Sequence, residues 1–479
     1  MNVMGKILNG GFGILFAAVS ALTLLSLTEV IGKHLGSVPL GILLAAILAL
    51  AAYFLSAQYG RLEKLFGKRI GGDHAKADRI FCIMTALLLL LQIFFVLTVD
   101  FTPRNDLSYV CRGAENLIMG NDLHSGLPDR HQHYFAVYPN NHMLLLFVYG
   151  LYKIQFTLTG EISNTLPIIL SLAGLNISYI LMYKTAKLMY SPEKALTCAV
   201  KGLMFTPLIT YTQFFYTDSI AMPWITGALY FYIKWRTSDS GSRTKSILNL
   251  IICGLLLAVA YKLKGSAIIF IPAAVIDMLF TRRKKLDKII SLGAIIAVFA
   301  AVCILLGGIA KSVVGINCEE MDKYRFPLVH WVMMSADGNG GYQYEDFMYT
   351  KSFEGYDSKI SADMDRLSEK LSEQGAAGFG KHLLKKLTYT WRDSTFMANY
   401  YYKNSFLKSG LFIALTALCH FTLMLGIVRS YITKIKSKDD AMSAEFMPKL
   451  MFAGLTLFLL IWEARCRYLV SFFVLFALI

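Results

Sequence analysis

Runs of roughly 20 apolar residues recur along the whole chain, and a hydrocarbon layer about 30 Å thick takes one helical crossing per run of that length. Backbone polar groups find no partners in hydrocarbon, so each crossing has to close its own hydrogen bonds as a helix. No part of the sequence shows the apolar/polar alternation of a barrel strand. Candidate spans fall at 7–31, 38–57, 80–100, 164–190, 195–215, 219–235, 246–262, 265–281, 288–311, 406–431, 447–463 and 467–479. The expectation is an all-α polytopic membrane protein with about 12 transmembrane helices. The first run, Ile7 to Ile31, is too long for a signal peptide and lacks a small-residue cleavage site, so it reads as a retained helix. One further run, Met143 to Phe156, has only about 14 residues, which suits an interfacial or re-entrant helix.

Whether that short run crosses decides the side of every later loop. Positive charge arbitrates, because Lys and Arg accumulate in cytoplasmic loops. If it does not cross and the N-terminus is cytoplasmic, the inner loops hold Arg61, Lys64, Lys68, Arg69, Lys76 and Arg79, then Lys184, Lys187 and Lys194. Further along they hold Lys234, Arg236, Arg243 and Lys245, the run Arg282, Arg283, Lys284 and Lys285, and finally Arg429, Lys434, Lys436 and Lys438. Short outer turns then carry little beyond Lys33, Lys262 and Lys264. The net charge of +15 is thus mostly a topology signal, and the soluble basic face that nucleic acid requires is not expected. Composition agrees: 56% of residues are hydrophobic and 16% charged, against roughly 45–50% and 25% in soluble domains. The expected division is a transmembrane module at 1–311 with a first outer loop at 101–163, an extracytoplasmic loop domain at 312–405, and C-terminal transmembrane helices at 406–479. The chain stops at Ile479 inside an apolar run, which leaves a longer tail open.

Five of the eight cysteines, Cys82, Cys198, Cys253, Cys303 and Cys419, lie in apolar runs, where cysteine behaves as a small hydrophobe. Cys111, Cys318 and Cys466 reach the outer side without CxxC spacing. A Cys111–Cys318 disulfide is conceivable and a cysteine metal site is not expected.

Polar residues concentrate in the outer regions. The span at 80–100 ends in Asp100, and Asp106 follows, then Leu107, Val110, Cys111, Ala114, Leu117 and Ile118, the stripe of an amphipathic helix that ends at Gly120. Asp106 can cap this helix, a role compatible with chemistry. The loop continues through HQHYFAVYPNNHM, which sets Tyr138, Asn140 and Asn141 at the outer rim; His131, His133 and His142 lack a recognised zinc spacing. Asp218 follows Phe214, Phe215 and Tyr216 at the next outer turn, as helix cap or as an acid facing a cavity. Lys262 and Lys264 stand at an outer rim where cations are disfavoured, to hold a lipid phosphate or to snorkel. The last outer turn carries Trp462, Glu463, Arg465, Arg467 and Tyr468; arginine can grip phosphate with two bonds, and Glu463 can pair with it. Within 312–405, the glycines of Asp337-Gly-Asn-Gly-Gly341 make tight turns and not a nucleotide loop. Met364, Leu367 and Leu371, then Leu383, Leu384 and Leu387, predict two short amphipathic helices in a small outer cap.

Taken together, the outer acid after an early span, the amphipathic helix closing at glycine, YPNN, FFYTD, YKLKG and EARCRY resemble the polytopic GT-C glycosyltransferases. The resemblance is in particular to the bacterial branch related to protein O-mannosyltransferases and lipid A aminoarabinose transferases, and it covers most of the chain in order and topology. The segment FPLVHWVMMSADGNGGYQYEDFMYT is similar to the outer loop of Gram-positive members of that group. This resemblance implies a sugar donor on polyprenyl phosphate and transfer to a hydroxyl of a cell-envelope polymer, lipid or protein on the extracytoplasmic side of the cell membrane, with inversion. It makes Asp106 the general base, with Asp100 the second choice, and Lys262, Lys264, Arg465 and Arg467 the donor-phosphate ligands. Asp218 and Glu463 would help bind substrate. His330, Trp331, Asp337 and Asp346 would line the acceptor side, or else pack the loop on itself. No cofactor is implied with certainty; a divalent metal, held by Asp106 and Asp218 if at all, stays open because the paired DxD spacing is missing. Two rival classes are a lipid-linked glycan transporter or flippase, which would want repeats and midplane acids, and an oligosaccharide polymerase or ligase.

Overall fold

The Val38–Ile70 helix shows how this sequence handles a bilayer edge. Its apolar first part gives way to Arg61, Lys64, Lys68 and Arg69, and Gly71 ends it in the left-handed conformation, φ +55°. Asp73 then starts the next helix by accepting from the Ala75 and Lys76 backbone N–H groups at 2.8 and 3.2 Å. Within that helix, His74–Thr98, one stripe of Phe81, Leu88, Gln92 and Phe95 is buried, while Leu87, Leu90, Phe94 and Leu97 on the other side are exposed. An apolar helix with its large side chains turned outward is built to face lipid.

The computed structural model describes residues 2–238, 243–281, 283–436 and 443–479, so the basic-loop positions Arg282 and Lys438 lie outside the described residues. Every regular element among the described residues is helical. Seven helices are long and apolar enough to cross a membrane: Gly5–Glu29, Val38–Ile70, His74–Thr98, Thr165–Met189, Thr244–Leu263, Lys285–Val314 and Gly410–Thr433. Shorter apolar helices occupy Gly265–Phe280, Phe446–Ile461 and Cys466–Leu478.

The all-α class therefore holds, with seven such helices where about 12 were expected. The difference has local causes. The run at 195–215 is not one helix: Pro192–Leu203 stops, and a single turn, Pro207–Thr210, follows, since proline has no N–H to continue the ladder. The carbonyl freed at Leu208 accepts from Gln92 Nε2 at 2.6 Å, and Asn176 donates to Gln92 Oε1 at 2.6 Å, so the break is satisfied inside the bundle. The run at 219–235 yields Met222–Thr237, 16 residues, and 467–479 begins as a 3₁₀ stretch, Cys466–Phe472. The short run at 143–156 lies in a helix of 18 residues, His142–Thr159, outside the seven.

Asn2–Leu35 packs on Val38–Ile70 and on Gly410–Lys436; Met222–Thr237 packs on Thr165–Met189 and on Arg243–Leu263, which packs on Lys285–Val314. The first pair touches backbone to backbone, since a Cβ on Gly41 would sit 2.5 Å from Gly32 Cα. The stretch from 312 to 405 contains Cys318–Tyr324, Leu328–Met334, Tyr344–Lys351, Tyr356–Trp391 and Ala398–Tyr401. Its longest helix breaks at Gly375, φ +57°, so the 364–371 and 383–387 stripes lie on separate arms. The glycine loop docks on the last turn of the chain: the Gly340 carbonyl accepts from Ala464 N–H at 2.7 Å, and Ser335 Oγ donates to the Ile461 carbonyl at 2.8 Å.

Candidate functional site

Gln213 fixes where the site begins. Its side-chain amide donates to the Val96 and Val99 carbonyls at 3.2 and 2.9 Å, closing the end of His74–Thr98 and directing the chain toward Asp106. The Asp106–Met119 helix buries Leu107, Val110, Cys111 and Ala114 and ends at Gly120, φ +71°. Gly113 lets it approach Phe135, because a Cβ there would lie 2.6 Å from the ring. Asp106 bonds away from its own helix. Its Oδ1 accepts from the Tyr134 hydroxyl at 3.1 Å, and its Oδ2 lies 3.4 Å from the Tyr216 hydroxyl. Asn141 braces both phenols, donating to Tyr134 at 2.6 Å and accepting from Tyr216 at 3.3 Å. Burial, then the adjacent carboxylate, push the Tyr134 phenol well above its usual pKa, so it remains a donor.

Asp218, on the short helix Thr217–Ile220, is fully buried. Its Oδ1 accepts from Lys264 Nζ at 2.5 Å, and its backbone carbonyl accepts from Ser471 Oγ at 3.0 Å. Arg467 stands between the two acids: Nη2 is 3.9 Å from Asp106 Oδ2 and Nη1 is 3.8 Å from Asp218 Oδ2. The same Nη1 donates to the Tyr401 hydroxyl at 2.9 Å, and the guanidinium lies 4.9 Å from the Tyr216 ring. Lys264 sits over Tyr468, 3.9 Å from its centroid, and the Tyr468 hydroxyl donates to Glu463 at 2.6 Å. Arg465 Nε donates to the other Glu463 oxygen at 2.6 Å. Burial alone would raise the Glu463 carboxyl, yet Arg465, with the Tyr468 hydroxyl, holds it below its ordinary value.

Three carboxylates thus face three cations in one cluster, with Asp106 its open member: the Asp106 side chain is 38% exposed, that of Arg467 only 7%. Such a cluster can accept a proton at Asp106 and stabilise negative charge arriving beside Lys264 and Arg467.

The remaining expected residues are dispersed. Asp100 is exposed just past the helix end, and Asn140 is exposed while Asn141 is buried. Lys262 leans toward another helix, where a Cβ on Gly307 would lie 3.0 Å from its Nζ. Tyr138 lies tilted against Tyr134 and Trp331, and Trp331 stacks toward Trp462, with centroid distances of 5.0, 5.9 and 6.4 Å, an aromatic wall leading from the cluster to the 312–405 region. His330 is buried against Thr350 Oγ1 at 2.7 Å, and burial pushes its pKa down to about 3. Asp337 pairs with Lys370 at 3.0 Å and Asp346 with Arg366 and Lys370 at 2.8 and 2.7 Å, so these two acids tie the region to itself.

His131, His133 and His142 do not converge: they meet Tyr109, Glu320 and the Phe135 carbonyl respectively. Cys111 and Cys318 are free thiols with different neighbours, Asn164 and Lys311, which corrects the conceivable disulfide. Among the described residues no three His, Cys, Asp or Glu side chains come together as a metal site. Between Asp106 and Asp218 stands a guanidinium, so that pair does not fit a shared divalent ion. The sequence names Tyr216 and Tyr468 only as the aromatic setting of Asp218 and Arg467, without a role, and gives no sign of Tyr134 or Tyr401.

A family model described as "Conserved hypothetical integral membrane protein" matches residues 2–479. Among solved structures, the chain is similar to the archaeal oligosaccharyltransferase AglB from Archaeoglobus fulgidus in complex with an inhibitory peptide and a dolichol-phosphate, at 13% identity and a TM-score of 0.44, covering 85% of this chain and 49% of that one. It is also similar to ArnT from Cupriavidus metallidurans bound to undecaprenyl phosphate, at 14% identity and a TM-score of 0.38, covering 83% and 76%. The chain spans about half the length of the first of these. No curated protein matches its sequence.

Proposed function

The chain belongs to the family of conserved hypothetical integral membrane proteins, and from that premise we propose that it is a membrane glycosyltransferase moving a sugar from a polyprenyl-phosphate-linked donor to an acceptor hydroxyl on the extracytoplasmic face. One observation carries the reading: a part-exposed carboxylate, Asp106, held by two phenols beside a buried arginine and lysine.

In this reading Asp106 takes the acceptor proton, the acceptor oxygen attacks the anomeric carbon, and the bond from that carbon to the donor phosphate breaks. The electron pair leaves with the phosphate. One base and in-line displacement invert the anomeric centre without a covalent enzyme intermediate. Arg467 and Lys264 stabilise the departing phosphate; in a partly desolvated site such fixed charge is worth far more than in water. A phosphate on Arg467 competes with Asp106 for the same guanidinium, so donor binding releases Asp106 toward the acceptor. Tyr134 and Asn141 keep the carboxylate aimed. The wall of Tyr138, Trp331 and Trp462 supports an acceptor or sugar face. The substrate class follows the resemblance of the loop motifs, including a mannosyltransferase-like role in the cell envelope. The basic loops, by the positive-inside argument, support an outward-facing site.

The test is transfer from radiolabelled polyprenyl-phosphate sugars by the purified protein in liposomes, wild type against Asp106→Asn. Consumption of donor by the wild type and loss of it in the variant support the reading. Equal rates would remove Asp106 as base, and no consumption of any polyprenyl-linked sugar would sink the reading.

A further inference from the structure

Among the described residues only three non-glycine residues have positive φ: Asn105 at 49°, Phe396 at 52° and Met397 at 66°. Such a backbone conformation is strained for a residue with a Cβ and persists only where its surroundings over-determine it. All three border one site. Asn105 directly precedes Asp106, and Phe396 and Met397 lead into Ala398–Tyr401, whose last phenol receives Arg467. The two turns also touch, since Asn105 Nδ2 donates to the Tyr400 hydroxyl at 3.2 Å.

One carboxylate holds the second turn. Asp393 Oδ1 accepts from Thr395 N–H at 2.9 Å and from Thr395 Oγ1 at 2.6 Å. Its Oδ2 accepts from Met397 N–H at 3.0 Å and from the Cys466 thiol at 3.4 Å. Tyr211 adds a bond from its hydroxyl to the Phe396 carbonyl at 2.5 Å. Cys466 is the residue before Arg467. Asp393 thus fastens the segment that carries Tyr401 and the segment that carries Arg467 with its two oxygens, a task that needs both to be acceptors. Asparagine would turn an NH₂ toward a backbone N–H, that of Thr395 or of Met397, which can only donate.

We infer that Asp393 is a positioning residue that sets Arg467 and Tyr401 for an anionic lipid phosphate; the ligand class rests on the function proposed above, the positioning role on geometry alone.

The test uses the full chain in lipid nanodiscs with Cys466 as its sole cysteine. Two quantities are read: the rate at which a methanethiosulfonate labels Cys466, and the affinity for undecaprenyl phosphate. Asp393→Asn raises the labelling rate and weakens the affinity, each about tenfold, as loss of hydrogen bonds to a charged group predicts. Adding Met397→Gly, which removes the steric cost of the left-handed turn, brings both readouts much of the way back to wild type. A variant within twofold of wild type on both readouts, or a double variant that recovers neither, overturns the inference. If Asp393→Asn does not fold, Thr395→Val removes a single donor and moves both readouts in the same direction by about threefold; no movement again overturns it. Labelling that responds as described in a protein that binds no undecaprenyl phosphate supports the positioning role and overturns the functional reading instead.

Discussion

Arg467 and Asp106 approach to 3.9 Å without a direct hydrogen bond, because Arg467 Nη1 is committed to Tyr401 and Asp106 to two phenols. The pair is close enough to feel each other's charge and loose enough to part. Asp106→Asn is expected to lower the transfer rate by about 10²–10⁴, the usual range for a lost general base. Its affinity for polyprenyl phosphate should hold or rise, since a negative charge beside the phosphate is gone. Single-turnover rates and equilibrium binding check the two halves separately.

Arg467→Lys keeps a positive charge but loses the planar fork that spans Asp218, Tyr401 and Asp106. Catalytic efficiency is expected to fall about 10–10³-fold, comparable to losing one preorganised donor. Its melting temperature should stay near the wild type's. Arg467→Met should instead lower stability by about 1–3 kcal/mol, as Asp218 keeps Lys264 but its second buried oxygen loses the nearby cation. Kinetics and thermal unfolding in detergent distinguish them.

Gly340→Ala tests how the 312–405 region sits on the last turn. Gly340 has φ +76°, and a Cβ there would lie 2.6 Å from Lys386 Cγ. Overpacking of this kind costs about 1–3 kcal/mol, and here it also strains the bond to Ala464. Limited proteolysis should cut this region faster in the variant.

Lys386 gives a pH dependence with a defined sign. Burial pulls its ammonium from 10.5 down to about 7, with its Nζ donating to Ser335 Oγ at 2.8 Å. Between those values the unfolded chain binds more protons than the folded one, so this group makes stability rise with pH across that window, and its burial cost is greatest at and below pH 7. Relative to wild type, Lys386→Met is therefore favoured near neutrality and loses ground toward about pH 9.5, by up to about 1.4 kcal/mol per pH unit. Chemical unfolding at both pH values measures this; a difference that ignores pH contradicts it.

Legibility in the sequence followed sequence distance. The Asp106–Met119 stripe and its stop at Gly120 are written in neighbouring residues at helical spacing, and they could be read directly. So could the two arms around Gly375. The number of crossings was harder, because an apolar run at 195–215 does not announce that Pro207 breaks it or that Gln92, more than a hundred positions away, satisfies the break. The site divides in the same way. Asp106, Asp218, Lys264, Glu463, Arg465 and Arg467 stood out as charges in apolar surroundings, and they do gather. Lys262, Asp337 and Asp346 stood out equally, yet Lys262 lies against Gly307 and the two acids pair with Lys370. Which phenols brace the cluster depends on contacts among residues 134, 216, 401 and 467, and tyrosine is too common here, at 26 residues, for its mere presence to signal a role.

The equal number of acids and bases around Arg467 bears on how a turnover ends. A neutral pocket admits a phosphodiester carrying one negative charge with little opposition. Cleavage leaves a phosphate monoester that carries more charge while Asp106 holds the acceptor proton, so two carboxylates then face three cations in a setting where Coulomb forces are weakly screened. On the function proposed here, the cations that stabilise this charge also retain the spent carrier, and return of the Asp106 proton to solvent, which restores a carboxylate beside Arg467, loosens that hold and drives departure.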